Sequence, residues 1–128
     1  MKALSIWEPW AYLIAHGFKT IENRTWPTSF RGRIYIHAGK QEDIGAWRKL
    51  SRLPIWKYLS TDGIVVVESW RRSLPRGFIL GEVDIEDCIT RSDNPWFEGP
   101  YGFVLRNPMP YEKPIPYRGR QGFFEVKL

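Results

Sequence analysis

Two stretches of this chain alternate apolar and polar residues with a period of two, and that commits it to a sheet. In the first, Ile34, Ile36 and Ala38 alternate with Arg33, Tyr35 and His37. In the second, Phe78 to Ile89, Ile79, Val83 and Ile85 fall on one face and Leu80, Glu82, Asp84 and Glu86 on the other. Successive strand side chains point to opposite faces, so both runs read as strands with one side in a core. Gly81, inside the second, predicts a bulge or a close backbone approach. Ala3 to Ile6, Phe18 to Trp26, Tyr101 to Arg106 and Phe123 to Leu128 are further strand-like segments, and the β-branched Ile64 to Val67 reads as a strand or a buried turn.

Helical signals are fewer. Pro9 suits a first helical turn, Trp10, Leu13 and Ile14 follow at helical spacing, and Gly17 suits a left-handed cap, which predicts a helix over Pro9 to His16. Ile44, Trp47 and Leu50 predict a second over Gln41 to Arg52, stopped by Pro54. Asn107 to Gly122 holds Pro108, Pro110, Pro114 and Pro116 and reads as a long stiffened loop rather than a central strand. The sum is α+β, mostly β. It predicts a small barrel of five or six strands with two or more short helices packed on it, in a single domain over residues 1–128.

Seven Trp, seven Phe and six Tyr exceed what one small core encloses, so some aromatics are expected to line a cleft or stacking surface. The net charge of +5 is uneven. Residues 1–60 hold ten Lys/Arg against four Asp/Glu, residues 61–98 four against eight, and residues 99–128 five against two. A positive face attracts polyanions, which makes nucleic acid a reasonable partner. Cys88 is the sole cysteine and fits a reducing compartment; with two histidines and no metal-ligand spacing, neither a metal nor a cofactor is expected. No apolar run suits a signal peptide or a membrane span, so the expected location is the cytoplasm, with no membrane partner.

The stretch richest in chemistry is Gly17-Phe18-Lys19-Thr20-Ile21-Glu22-Asn23-Arg24. Glu22 and Arg24, two apart, share a face in a strand. Lys19 has the opposite parity and joins them only if the chain turns after Gly17. Together they would form a compact cluster: Lys19 and Arg24 supply donors for phosphate or carbonyl oxygens, and Glu22 an acceptor or base. Confinement beside aromatic walls would shift Lys19 or Glu22 towards acid–base competence.

The pattern G-x-K-x-x-E-x-R resembles the signature of the ASCH superfamily, with Gly17, Lys19, Glu22 and Arg24 matching all four positions. Leu4-Ser5-Ile6 followed by Glu8-Pro9-Trp10-Ala11 resembles that family's opening strand and helix, and Arg31-Gly32-Arg33 leading to Ile36-His37-Ala38-Gly39 its next strand. Gly81-Glu82-Val83 with Asp87-Cys88, and Tyr101-Gly102-Phe103 with Gln121-Gly122-Phe123-Phe124, resemble its later strands. The resemblance implies a PUA-like β-barrel with the motif in a cleft by the first helix. It also implies RNA binding and, for some members, RNA cleavage or hydrolysis of acetylated cytidine. Acetylcytidine amidohydrolases carry a threonine where this chain has Glu22, and Glu8 replaces a glutamine common before the proline.

The expected function is therefore binding of RNA, single-stranded nucleic acid or a nucleotide-like small molecule. Lys19 and Arg24 would grip it, Glu22 would read an exocyclic amine or orient Lys19, and Trp7 and Trp26 would stack on a base. Trp10, on the apolar helix face, is expected in the core. Lys40, Arg118, Arg120 and Gln121 are candidate phosphate contacts, with Arg106 and Asn107 weaker ones. One alternative is a hydrolase, a ribonuclease or an amidohydrolase on a modified nucleoside, with Lys19 and Glu22 as catalytic acid–base pair. Another is a protein-interaction module using Glu82 to Asp87. His37 is expected to face solvent or a cleft as a hydrogen-bonded structural residue, and Glu82 is weighed as a partner for Lys19. Asp84, Glu86 and Asp87 read as a solvated strand face rather than a metal cluster.

Overall fold

The computed structural model describes residues 1–50 and 70–128. Six strands, β1 (Lys2–Glu8), β2 (Ile21–Arg24), β3 (Gly32–Glu42), β4 (Phe78–Ile89), β5 (Tyr101–Pro116) and β6 (Phe123–Glu125), form one sheet ordered β2-β5-β4-β3-β1-β6. β1 and β3 run parallel, and the other neighbours are antiparallel. Two short helices, α1 (Trp10–Ala15) and α2 (Ala46–Leu50), and helical residues 70–73 accompany the sheet among the described residues, an α+β, mostly β architecture. No described helix is long and apolar enough to cross a membrane.

The core lies between α1 and the concave side of the sheet. Leu4 and Ile6 of β1, Ala11, Ile14 and Ala15 of α1, Ile34 and Ile36 of β3, Val83 and Ile85 of β4 and Phe103 of β5 are buried together. Burying a side chain such as Ile14 stabilises by about 1.5–3 kcal/mol. The sheet is rolled: no ladder joins β2 to β6, and aromatic side chains fill the gap between the two ends. Trp26, just after β2, lies 5.6 Å from Phe123 of β6, which stacks on Phe103 at 6.1 Å. The expected PUA-like barrel is thus a rolled six-stranded sheet completed by packing rather than by a closed ladder.

β4 has the span its alternation predicts, but its face pattern shifts. Ile79 belongs to a small second cluster with Ala3, Phe124 and Val126, and Leu80 joins Val83 and Ile85 in the main core. The ladder to β5 slips between Ile79 and Gly81. A Cβ on Gly81 would lie 2.3 Å from the Met109 carbonyl oxygen, so only glycine permits this approach. The slip between Ile36 and His37 leaves Leu80 as the extra residue of β4; His37 keeps the face its alternation predicts, opposite Ile36 and Ala38, and is buried there against Phe124.

The largest correction concerns Asn107 to Gly122. The first ten of these residues belong to β5, prolines included. β2 pairs with β5 only from Tyr101 to Val104, so beyond that point β4 alone lies beside β5 among the described residues. Half of its backbone groups face no neighbouring strand, and there proline's missing N–H costs nothing. Two other elements are shorter than expected. β2 begins at Ile21, not Phe18, and Gln41 and Glu42 end β3 instead of opening a helix. Ile44 is consequently 77 % exposed, while Leu50 is buried. The expectations for Arg52, Pro54 and Ile64 to Val67 lie outside the described residues.

Candidate functional site

α1 ends at Ala15, and Gly17 follows with φ of +81°, the left-handed cap the sequence predicts. The backbone N–H groups of Phe18 and Lys19 both donate to the Leu13 carbonyl, at 2.8 and 3.0 Å. This reversal supplies the turn that the parity of Lys19 demands, and it brings that side chain to Glu22 and Arg24. Lys19 Nζ donates to the Ile21 carbonyl and lies 3.4 Å from Glu22 Oε1. Arg24 Nε donates to Glu22 Oε2 at 3.0 Å, and its Nη2 donates to the Ser5 carbonyl at 2.8 Å. Lys19 and Glu22 are 5 % and 7 % exposed.

Such a trio has capacity left over. The Lys19 ammonium has a third N–H, the Nη1 group of Arg24 has no partner among the described residues, and each Glu22 oxygen accepts from one cation with lone pairs to spare. Burial pushes the Lys19 ammonium down from its ordinary value, while Glu22 opposes that shift.

These groups form the floor of a cleft of about 680 Å³. Trp7, Trp10, Trp26 and Trp96 all line it. Lys19 Nζ lies 5.5 Å from the Trp10 ring centroid and the Arg24 guanidinium 5.6 Å from that of Trp26, within the range of cation–π attraction. Trp10 packs against the core, as expected, and also forms cleft wall: its Nε1 donates to Asp43 at 2.8 Å and its ring meets Trp96 edge-on at 6.2 Å. Trp7, 53 % exposed, stands at the rim. Among the described residues, three cations, Lys19, Arg24 and Lys49, face three carboxylates, Glu22, Asp43 and Glu98, so their charges balance.

One wall comes from sequence-distant residues that the motif does not announce. Asn23 Nδ2 donates to the Trp96 carbonyl at 2.9 Å, and its Oδ1 accepts from the backbone of Glu98 and Gly99 at 2.8 and 3.1 Å. Lys49 Nζ pairs with Glu98 at 3.2 Å. The signal was available: Asn23 sits inside the octet, and an amide is the side chain that can clamp a loop by both ends.

Lys40, Arg118, Arg120 and Gln121 do not reach this cleft. They line a second groove of about 1090 Å³, which shares Ser5, Trp7, Arg24 and Trp26 with the first. His37 forms part of its wall; Nε2 lies 2.6 Å from the Tyr117 carbonyl and Nδ1 3.2 Å from Ser5 Oγ. Glu82 is far from Lys19 in partnership: it pairs with Arg33 and accepts from Tyr111. Asp84 pairs with Arg33, Glu86 with Arg106 and Asp87 with Arg31, and Asn107 donates to Asp84. The acidic stretch is neutralised by its own neighbours, and no cluster able to hold a metal ion occurs among the described residues.

Comparison with known proteins agrees with this geometry. The family model described as "ASCH domain" matches residues 4–119. Activating signal cointegrator 1 of Homo sapiens is 28% identical over 96% of this chain, and that of Mus musculus is 27% identical over the same share. The chain spans 22% of the length of either cointegrator. Among solved structures, an ASCH crystal structure from Zymomonas mobilis superimposes with a TM-score of 0.53 at 17% identity, covering 98% of this chain and 87% of the other. With the family model matched across nearly its whole length, this chain belongs to the ASCH domain family.

Proposed function

We propose that the tryptophan-walled cleft binds RNA or a nucleotide-like ligand by seating one unpaired base over its polar floor. The observation that carries this reading is the buried Lys19–Glu22 pair, bridged to the half-buried Arg24 and set among four indole rings. A planar base fits between such walls, and each stacked base is worth about 1–3 kcal/mol. The spare N–H groups of Lys19 and Arg24 suit a base carbonyl, and the spare lone pairs of Glu22 suit an exocyclic amine. The trio is already fixed by its own hydrogen bonds, so little ordering is needed on binding. Membership of a family linked to RNA binding supports the same ligand class.

Titration of the chain with nucleosides and short single-stranded RNA, followed by tryptophan fluorescence, tests the reading. Saturable quenching is expected, weakened at least about tenfold by Arg24→Ala, as for loss of a charge-assisted hydrogen bond. No response to any of these ligands overturns it.

A second reading, hydrolysis of RNA or of an acetylated nucleoside, rests on one specific observation: a lysine whose ammonium is pushed down by burial beside a carboxylate. This is the arrangement of an acid–base pair. Incubation with RNA or acetylcytidine and a search for product tests it. Glu22→Gln should stop turnover while sparing much of the affinity, and the absence of product from wild type removes the reading.

A further inference from the structure

We infer that the groove beside the cleft is a phosphodiester track, which makes the ligand a single-stranded polynucleotide rather than a free nucleoside. The inference rests on the base-binding reading of the cleft and extends it along the surface. The two cavities are continuous, with Ser5, Trp7, Arg24 and Trp26 forming walls of both. Their charge differs sharply. Among the described residues, three carboxylates balance the cations of the cleft, whereas no Asp or Glu lines the groove, where Lys40, Arg118 and Arg120 gather near Arg24.

Those three cations are exposed and have no ion pair among the described residues. Among those residues Lys2, Arg31, Lys49 and Arg106 each meet a carboxylate, and Arg72, Arg91, Lys113 and Lys127 do not; what sets Lys40, Arg118 and Arg120 apart is that they line one groove together. A ligand confined to the cleft would leave Lys40, Arg118 and Arg120 without partners. A strand whose base enters the cleft carries its neighbouring phosphates past Arg24 into the groove, where each cation meets an anion.

The track is also held in place. The Tyr117 carbonyl accepts a hydrogen bond, so His37 carries its proton on Nε2, and Nδ1 is left to accept from the Ser5 hydroxyl. The Tyr117 N–H donates to the Gly77 carbonyl at 3.1 Å. Gly119 lies so close to the imidazole that a Cβ there would sit 2.4 Å from His37 Cε1. The loop carrying Arg118 and Arg120 is therefore seated on a buried side chain that also contacts β1. A loop backbone held in this way loses little freedom when phosphates arrive.

The test compares uridine with single-stranded uridine and thymidine tetranucleotides on the intact chain, measuring affinity and its dependence on salt. The RNA and DNA arms separate the two sources of a phosphodiester. The expected result is a tetranucleotide affinity at least tenfold above that of the nucleoside. In the triple variant Lys40→Gln, Arg118→Gln, Arg120→Gln, that ratio falls towards one and the salt slope drops by about two. Circular dichroism of the variant confirms that it folds. A ratio near one in wild type, or a triple variant with unchanged ratio and slope, overturns the track and leaves the base-binding reading standing. Tetranucleotide binding that the triple variant loses but Arg24→Ala does not touch overturns the base-binding reading instead, and absence of all binding overturns both.

Discussion

The side-chain amide of Asn23 donates to the backbone carbonyl of Trp96 at 2.9 Å, across 73 positions of sequence. With the two hydrogen bonds its oxygen accepts from Glu98 and Gly99, this one residue fastens a distant indole to the strand carrying Glu22 and Arg24. Asn23→Ala should release the loop and leave half-buried backbone groups unpaired, at a cost of about 1–3 kcal/mol. Urea unfolding measures that cost. Ligand-induced quenching should fall as well, and an unchanged quench would show that Trp96 does not report on the cleft.

The buried Lys19–Glu22 pair predicts a strong coupling. Glu22→Leu strands the Lys19 ammonium with the Ile21 carbonyl as its remaining oxygen partner, and breaking a buried pair from one side costs about 3–5 kcal/mol. Lys19→Met is expected to cost less, because Arg24 continues to satisfy Glu22. The double variant should recover part of the loss, with a coupling energy of about 0.5–3 kcal/mol in a double-mutant cycle. Strict additivity would mean that the two side chains do not interact.

Glu8 predicts how stability varies with pH. It is fully buried at the end of β1, where Oε1 accepts from the Tyr12 N–H at 2.8 Å and Oε2 has no partner among the described residues. Burial raises its pKa from 4.5 to about 7. A raised carboxyl means that between those values the unfolded chain has released a proton that the folded chain retains. Stability therefore falls as pH rises through this window, by about 3 kcal/mol in all, and the loss is complete above pH 7. Glu8→Gln should flatten that slope. Urea midpoints at pH 5 and pH 8 decide the matter, and equal slopes in the two proteins would refute the assignment.

Gly119 offers a test of the loop seat that removes no charge. Gly119→Ala drives a methyl into the His37 imidazole, and the overpacking should cost about 1–3 kcal/mol. Because the displaced segment bears Arg118 and Arg120, the gain in affinity from nucleoside to tetranucleotide should shrink although both arginines remain. A full gain in a measurably destabilised variant would separate the seat from the track.

What the sequence disclosed, and what it hid, follows from the range over which each signal acts. Gly17, Lys19, Glu22 and Arg24 lie within eight residues, so spacing and one glycine-ended helix suffice to bring them together. The span of β4 is likewise written in its own alternation. His37 keeps the face that alternation assigns, away from Ile36 and Ala38, but its depth comes from Phe124 and the Tyr117 carbonyl, which lie far along the chain. The proline run was misread because proline's cost depends on which neighbour lies beside it, and β2 is too short to reach that far. The helical spacing places Trp10 against the core but does not show that the same face borders the cleft. Trp96 and Glu98 could not be placed at all without the fold, since Asn23 and Lys49 reach them from far along the chain.

The last strand pairs with the first: Lys2 stands opposite Glu125, and Met1 and Val126 exchange backbone hydrogen bonds at 3.1 and 3.3 Å. The outer edge of β1 is thus covered by a ladder of three residue pairs. Loss of that short ladder would bare an unpaired strand edge and uncover Phe124 and Val126 in the same step.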